Sequence, residues 1–543
     1  TRQLIYYREG TNSTVAVERT ERMTALRVDG KVDASNGVDM ATQLMLGHLP
    51  ILLHPNPGRV LVIGLGSGVT AGAVAQHPVV REIDVVELEP AVVEASTFFL
   101  EENRSVLSDP RVRLVVGDGR NYILASEKRY DVISSEPSNP WMAGVANLFS
   151  REFYQLARGR LADDGIMIQW LHGYSIFPED LKMIVKTFRQ SFPHATLWRT
   201  IRGDYLLVGA RSPLRVDHAL LERRIAASAR VREDMASIWL VSPLDLLTLF
   251  LLDETDLARF AQGAPENTDD RPLLEFRAPL ALYRDTTEEN HRLLRESWTT
   301  ELPPVDNLPA GLLEARRVHF ARIYWAGGER EEALDQLRKA SWPDSRDVAP
   351  QLDRAKLLFS LGEIGQATER LAALARGRPQ NRLVASYLKA GAILRAMKAE
   401  EVVVQHGRTR HGDLNPAEAH NNLGVFYTRM GIRFGEPAFF ELAVDSMEAA
   451  LRIEPQAYAA INNLGNAYFE LQRLGEAAEA YRRVLMLKSN LPQTHFNLGL
   501  VYERQGAREA AAREYRLALS LQPGWALPRL NLQRLGASTA PAG

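Results

Sequence analysis

The chain has 543 residues, with 65 basic against 67 acidic side chains and a formal charge of −2, a balance that excludes a broad nucleic-acid surface or a patch for anionic membranes. At roughly 150 residues per domain, its length implies three or four domains. No cysteine is present, so disulfides, thiolate metal sites and a Cys nucleophile are excluded, while the compartment stays open.

Residues 1 to 35 alternate in strand fashion through LIYYREG, STVAVERTE and TALRVDGKVDA, with a turn signal at Asp29-Gly30, which predicts a small antiparallel sheet. From Asn36 to Leu53 the pattern is helical, and 1–53 forms a first segment of sheet and linking helix. Between Arg59 and about Ala210 apolar strands alternate with helices, predicting an α/β, Rossmann-like doubly wound sheet in a domain drawn at 54–210. The runs FPHATLWRT and DYLLVGAR, parted by Ile201 to Gly203, read as its closing hairpin. Residues 211–305 read as a mostly helical extension, within which NTDDRPLLEF (267–276) has no assignable pattern. Ile238 to Leu252 is the most apolar stretch, but it is interrupted by Pro243 and Asp245. Its length falls short of the ~20 residues that span a bilayer, and it predicts a core helix or helix pair.

Beyond Pro309 the strand signal disappears. Gly465 and Gly499, Tyr468 and Tyr502, Leu485 and Leu519, and Pro455 and Pro523 recur at 34 residues or twice that. That is the period of the tetratricopeptide repeat (TPR), a helix pair whose apolar face only a stacked neighbour can bury. Gly328 with Gly362 and Ala333 with Ala367 keep the spacing in a degenerate form over 306–410, and NNLGVFY, NNLGNAYFEL and FNLGLVYERQG mark it over 411–543. The expectation is an all-α solenoid whose concave face takes a protein or peptide partner.

The chemistry lies earlier. Gly64-Leu65-Gly66-Ser67-Gly68 follows RVLVI, Glu87 closes IDVVE, Asp118 closes VRLVVGD and Glu136 closes YDVISSE. Ligands of open α/β sheets bind at the carboxyl ends of strands, so these positions converge on one crevice. The spacing GxGxG places no third glycine for a pyrophosphate and favours a nucleoside-methionine ligand over a dinucleotide. Glu87, at the end of the next strand, can accept from both ribose hydroxyls, and Asp118 from the adenine amino group. Singly, each acid also fits a loop or a helix N-cap; jointly, they argue for a site.

With these segments in place, residues 5 to about 210 resemble the spermidine synthases, a family of aminopropyltransferases. The resemblance runs through VDGKV, QLMLGHLPILLHPNPGRVLVIGLGSG, VVELEPAVVE, DPRVRLVVGDGR, YDVISSEPSNP and NLFSREFYQLARGRL. It implies transfer of an aminopropyl group from decarboxylated S-adenosylmethionine to a small-molecule amine, releasing methylthioadenosine without a metal. It also implies that Gln43, Glu87, Asp118 and Gly119 hold the nucleoside and that Glu136 stands at the catalytic acid. An in-line displacement at a sulfonium needs positioning and a proton acceptor, which a carboxylate supplies.

The departures fall on the amine-recognising half. Ser67 replaces the aspartate of the family's GGGDG motif, and the DSxDP loop appears as Glu136-Pro137-Ser138-Asn139-Pro140. Thr42 stands for the tyrosine before Gln43, and the early Tyr-Gln is replaced around Asn12 and Ser13. Trp141, Asn147, Gln169, Trp170, His172 and Tyr174 follow the fourth and fifth strands, where a lid and the acceptor wall are expected. For Trp141 and Trp170 stacking competes with plain packing, and for His172 a general base competes with a structural histidine. The pair Asp269-Asp270 reads as a solvated loop or cap unless it returns acidity to the pocket.

Serine at 67 removes a repulsion toward a donor carboxylate, so methyl transfer from intact S-adenosylmethionine is the first alternative. An inactive catalytic fold serving as a binding platform for the repeats is the second. Similar bacterial proteins join this unit to a membrane-spanning region, and the chain starts at Thr1 directly before its first strand. The expectation is therefore a cytoplasmic unit with a tether outside this chain, and family members also imply a homodimer through the amino-terminal sheet.

Overall fold

The computed structural model describes residues 2–20, 23–37, 39–201, 203–238, 240–299, 302–340, 348–406 and 416–536. The chain divides into two units, 1–313 and 314–543.

In the first unit the amino-terminal alternation folds as β1 (Gln3–Glu9), β2 (Thr14–Arg19), β3 (Thr24–Val28) and β4 (Lys31–Ser35), an antiparallel sheet in sequential order. Alternate residues Val15, Val17, Leu26 and Val28 turn to one face, where they bury Ala91, Val92, Ala95 and Phe99. Helix α1 (Met40–Leu53) follows and is buried along almost its whole length, so it runs through the core and carries the residues between the small sheet and the large one.

The large sheet runs in the order Phe250–Leu252, His194–Ile201, Asp204–Ala210, Leu161–His172, Tyr130–Ser135, Arg59–Ile63, Glu82–Glu87 and Val112–Val116. Strands β5 (Arg59–Ile63), β6 (Glu82–Glu87), β7 (Val112–Val116), β8 (Tyr130–Ser135) and β9 (Leu161–His172) are mutually parallel. They alternate with α2 (Val69–Ala75), α3 (Pro90–Ala95), α4 (Gly119–Ala125), α5 (Arg151–Arg160) and, after β9, α6 (Pro178–Ser191). The run RVLVI is apolar throughout because both faces are covered: Val60 and Val62 enter one core cluster, Leu61 and Ile63 the other. The hairpin of β10 (His194–Ile201) and β11 (Asp204–Ala210) closes the sheet in antiparallel register against β9.

Residues 211–313 remain in this unit. They hold β12 (Val216–Asp217), paired in parallel with Val305–Asp306, and the helices α7 (His218–Ala226) and α8 (Ala229–Ser237). The apolar stretch 238–252 is not a core helix. It forms a 3-10 turn over Pro243–Leu249 and then β13 (Phe250–Leu252), antiparallel to β10; Trp239 lies outside the described residues. Asp245 accepts from the Ser242 amide at 2.8 Å and starts the tight turn at Pro243, and the open edge of β10 takes up the apolar residues that follow.

The segment 267–276 is organised by one buried side chain. The Asn267 amide group donates to the carbonyls of Ala146 and Phe149 and accepts from the Leu274 amide, which starts the short helix Leu273–Arg277.

In the second unit the described residues are helical. The pairs Tyr458–Glu470 with Leu474–Leu487 and Pro492–Arg504 with Arg508–Leu521 carry the clear repeats. A Cβ at Gly465 would lie 2.7 Å from the Tyr481 ring, and one at Gly499 2.5 Å from Tyr515. The 34-residue recurrence of these glycines is therefore the footprint of a buried tyrosine pressed against each first helix. The expected boundary between degenerate and clear repeats, 410/411, lies outside the described residues. Among the described residues no helix is long and apolar enough to cross a membrane.

Candidate active site

The sheet order reverses at β5, whose neighbours β6 and β8 lead to opposite edges; a crevice opens at such a switch point beyond the strand ends. Gly64 and Glu136 continue β5 and β8 there, with the Glu136 amide donating to the Ile63 carbonyl at 2.9 Å. A Cβ on Gly64, whose φ is +89°, would stand 2.5 Å from the Glu136 carbonyl oxygen, so only glycine lets the two strand ends close up. A cavity of about 1080 Å³ lies above them.

On one side of this cavity stand the groups expected for a nucleoside. Glu87 is 8 % exposed and accepts from the amides of Leu65 (2.8 Å) and Glu89 (2.9 Å), which fixes the carboxylate and leaves lone pairs toward the cavity. Burial raises its pKa, with Asp33 adding to the rise. Asp118 caps α4 through the Asn121 amide at 2.6 Å while also lining the cavity, so its cap and site readings coexist. Gly66 and Gly119 line the wall.

Gln43 lines the cavity too, but its amide is committed to protein. Its oxygen accepts from Ser67 Oγ at 2.5 Å and its nitrogen donates to the Ser35 carbonyl at 2.9 Å. Ser67 is thus turned beneath the glycine turn, where Asn103 also holds its carbonyl at 2.8 Å. Neither Ser67 nor Gly68 is among the cavity-lining residues.

Glu136 faces the other side. Its Oε2 lies 2.6 Å from Thr70 Oγ1, which is also 3.0 Å from the Gln43 carbonyl oxygen. Thr70 donates its one proton to Glu136, with the Gln43 carbonyl as a second acceptor within reach of the same hydroxyl. Burial pushes the Glu136 pKa up to about 8, reinforced by Asp33, Asp39 and Asp204 and opposed by Thr70.

Those three aspartates were missed in the sequence, and all line the cavity. Asp39 begins α1 where a cap is expected, yet its side chain turns back to the Ser35 amide at 2.6 Å, and burial raises its pKa. Asp33 accepts from Ser138 Oγ at 2.8 Å. Asp204 opens the apolar run DYLLVGA; Thr42 donates to it at 2.9 Å, and burial pushes its pKa up to about 6. A carboxylate heading a wholly buried strand was the available signal. Among the described lining residues Lys31 is the one cation, 3.6 Å from Asp33 and 5.6 Å from the Trp170 ring centre.

The acceptor-wall candidates separate into two layers. Thr42, Trp170 and Tyr174 line the cavity; Asn139, Trp141, Gln169 and His172 are not among its lining residues. Asn139, Gln169 and His172 are fully buried, with Trp141 packed edge-on against His172 at 4.7 Å. His172 Nδ1 donates to the Tyr174 carbonyl at 2.7 Å, and burial pushes its pKa down to about 3. It is a neutral packing residue in this arrangement, not a base on the cavity. Asn147 is exposed, and Asp269 is paired with Arg120 at 2.9 Å, away from the cavity wall.

Residues 39–206 match the model of the spermine/spermidine synthase domain, and TPR models match 465–506 and 492–524. A spermidine synthase of Dictyostelium discoideum is 34% identical over 178 residues, 31% of this chain and 62% of that one. A polyamine aminopropyltransferase of Bacillus subtilis is 34% identical over 185 residues, 34% of this chain and 66% of that one. The crystal structure of spermidine synthase from Thermotoga maritima aligns over 43% of this chain and 88% of that one, at 22% identity and a TM-score of 0.37. The chain spans just under two thirds of the length of the curated relatives it matches. Residues 39–206 are a spermine/spermidine synthase domain, and the same chain carries tetratricopeptide repeats.

Proposed function

We propose that the first unit moves an aminopropyl group from decarboxylated S-adenosylmethionine to an amine, releasing methylthioadenosine. The observation that carries this reading is the acidic wall: Asp33, Asp39, Glu136 and Asp204 line one cavity with Glu87 and Asp118. A donor carboxylate pointed toward that wall meets like charge, whereas an aminopropyl ammonium and a cationic acceptor meet opposite charge. This favours the decarboxylated donor over methyl transfer from the intact one.

In this reading Glu87 and Asp118 fix the ribose and adenine, and the glycine turn lets the sulfur approach the strand ends. Glu136 takes a proton from the acceptor ammonium, and the freed nitrogen attacks the carbon next to the sulfonium. The C–S electron pair passes to sulfur, giving a neutral thioether, and the product nitrogen keeps the positive charge. A carboxylate whose own proton leaves near pH 8 is matched to that task. The repeats fit a peptide or protein partner through their stacked helices.

Titration calorimetry with the two donors tests the choice. Tighter binding of the decarboxylated donor is expected; tighter binding of intact S-adenosylmethionine favours methyl transfer, and binding of neither favours a scaffold.

A further inference from the structure

Asp204 is 6 % exposed and lines the cavity with the Trp170 side chain beside it as a second donor, and its Oδ1 keeps no hydrogen bond of full geometry. Its other oxygen is supplied by a directed chain. Thr42 Oγ1 lies 2.9 Å from Asp204 Oδ2 and 2.7 Å from Thr200 Oγ1. The Thr42 proton serves Asp204, so Thr200 donates to Thr42, and two aligned hydroxyls stabilise the ionised carboxylate. A buried acceptor left open is costly unless a ligand completes it. Lys31 does not do so: its ammonium is directed to Asp33 and to the rings of Trp141 and Trp170.

Consecutive residues of α1 connect this acid to the reacting end. Thr42 holds Asp204, and the carbonyl of Gln43 anchors Thr70, which contacts Glu136. The two carboxylates are thus separate positions along one wall. One of them lies at the reacting end beside the Thr70 hydroxyl, and the other keeps a carboxylate oxygen suited to an ammonium that stays charged.

We propose that Asp204 seats the remote ammonium of a diamine acceptor while Glu136 serves the nitrogen that reacts. Asp204 is then the residue that distinguishes a diamine from a monoamine, supplying a carboxylate where Ser67 and Asn139 offer the cavity none. This rests on the transferase reading given above.

The test titrates the full chain, saturated with methylthioadenosine, with 1,4-diaminobutane and separately with 1-aminobutane. The wild type is expected to bind the diamine at least tenfold more tightly. Asp204→Asn keeps the shape and Thr42 as a neighbour; it should weaken the diamine by about ten- to hundredfold, the size of one charge-assisted hydrogen bond, and shift the monoamine less than twofold. Thr42→Val, which leaves the charge in place, should weaken the diamine by a smaller factor. The proposal is overturned by a wild type that binds both amines equally, by an Asp204→Asn protein that keeps its diamine affinity, or by an equal loss for both amines. Methylthioadenosine affinity is read in a separate titration of the free protein. Its absence in the wild type counts against the transferase reading, whereas its retention with an unchanged amine ratio counts against Asp204 alone.

Discussion

Glu136 is the residue whose protonation governs the proposed chemistry. Its proton leaves near pH 8, so below that value the carboxyl cannot accept from the attacking amine. Aminopropyl transfer should therefore rise with pH up to about 8 and then level. Glu136→Gln should lower kcat by about 10²–10⁴, the usual worth of a positioned base, and erase that limb of the profile while leaving methylthioadenosine affinity within a few-fold. A pH–rate profile of the variant that still rises through 8 removes Glu136 from this role. The sequence made Glu136 legible because it closes an apolar strand in the same way as Glu87 and Asp118. Asp39 was hidden by its place at a helix start, where an aspartate normally caps. Asp204 was hidden by the adjacent hairpin turn, where a polar residue needs no special explanation. In both cases the meaning of the acid comes from what faces it across the cavity, and the one local signal was the carboxylate heading the apolar run that follows Asp204.

At the scale of elements, α1 is the support of the site, since Thr42 and Gln43 near its start hold the acids. Its last turn leaves carbonyls without intrahelical partners, and Arg224 from α7 meets that of Ile51 together with the carbonyls of His54 and Pro55 just past the helix end. Burial lowers the Arg224 pKa to about 10, still far above neutrality, so the cap stays charged. Arg224→Met should cost about 2–4 kcal/mol, because several buried acceptors lose their donor at once, and calorimetric melting should show a midpoint several degrees lower; an unchanged midpoint would mean that water replaces the side chain freely. No sequence pattern links Arg224 to His54, 170 residues earlier. By contrast, the strand order and the glycine turn were readable, because both follow from alternation and local sterics. The stretch 238–252 misled because apolar content alone does not separate a core helix from a tight turn followed by an edge strand.

For the whole molecule, the buried acids set a pH dependence of stability. Glu136 and Asp204 have folded-state pKa values of about 8 and about 6, above the ordinary carboxylate range of an unfolded chain. Between roughly pH 4 and 8 the folded state therefore holds more protons than the unfolded one, and stability from these groups falls as pH rises through that window. Glu136→Gln and Asp204→Asn should each flatten the fall and melt higher than the wild type at pH 8. Midpoints below the wild type at pH 8 would show that the charges are already compensated in the free protein. The second unit was legible as a repeat because one helix pair recurs and its buried tyrosine demands glycine at a fixed phase. The residues that line the cavity, from Thr11 to Asp204, all fall in the first unit, so its chemistry is read from that unit alone.

The central claim is that carboxylates gathered beyond β5 and β8 select a cationic, decarboxylated sulfonium donor and a cationic amine. Product analysis tests it most directly: the protein is incubated with 1,4-diaminobutane and an equimolar mixture of decarboxylated and intact S-adenosylmethionine. Methylthioadenosine formed in step with an aminopropylated diamine is the predicted result, and S-adenosylhomocysteine with a methylated amine would contradict it.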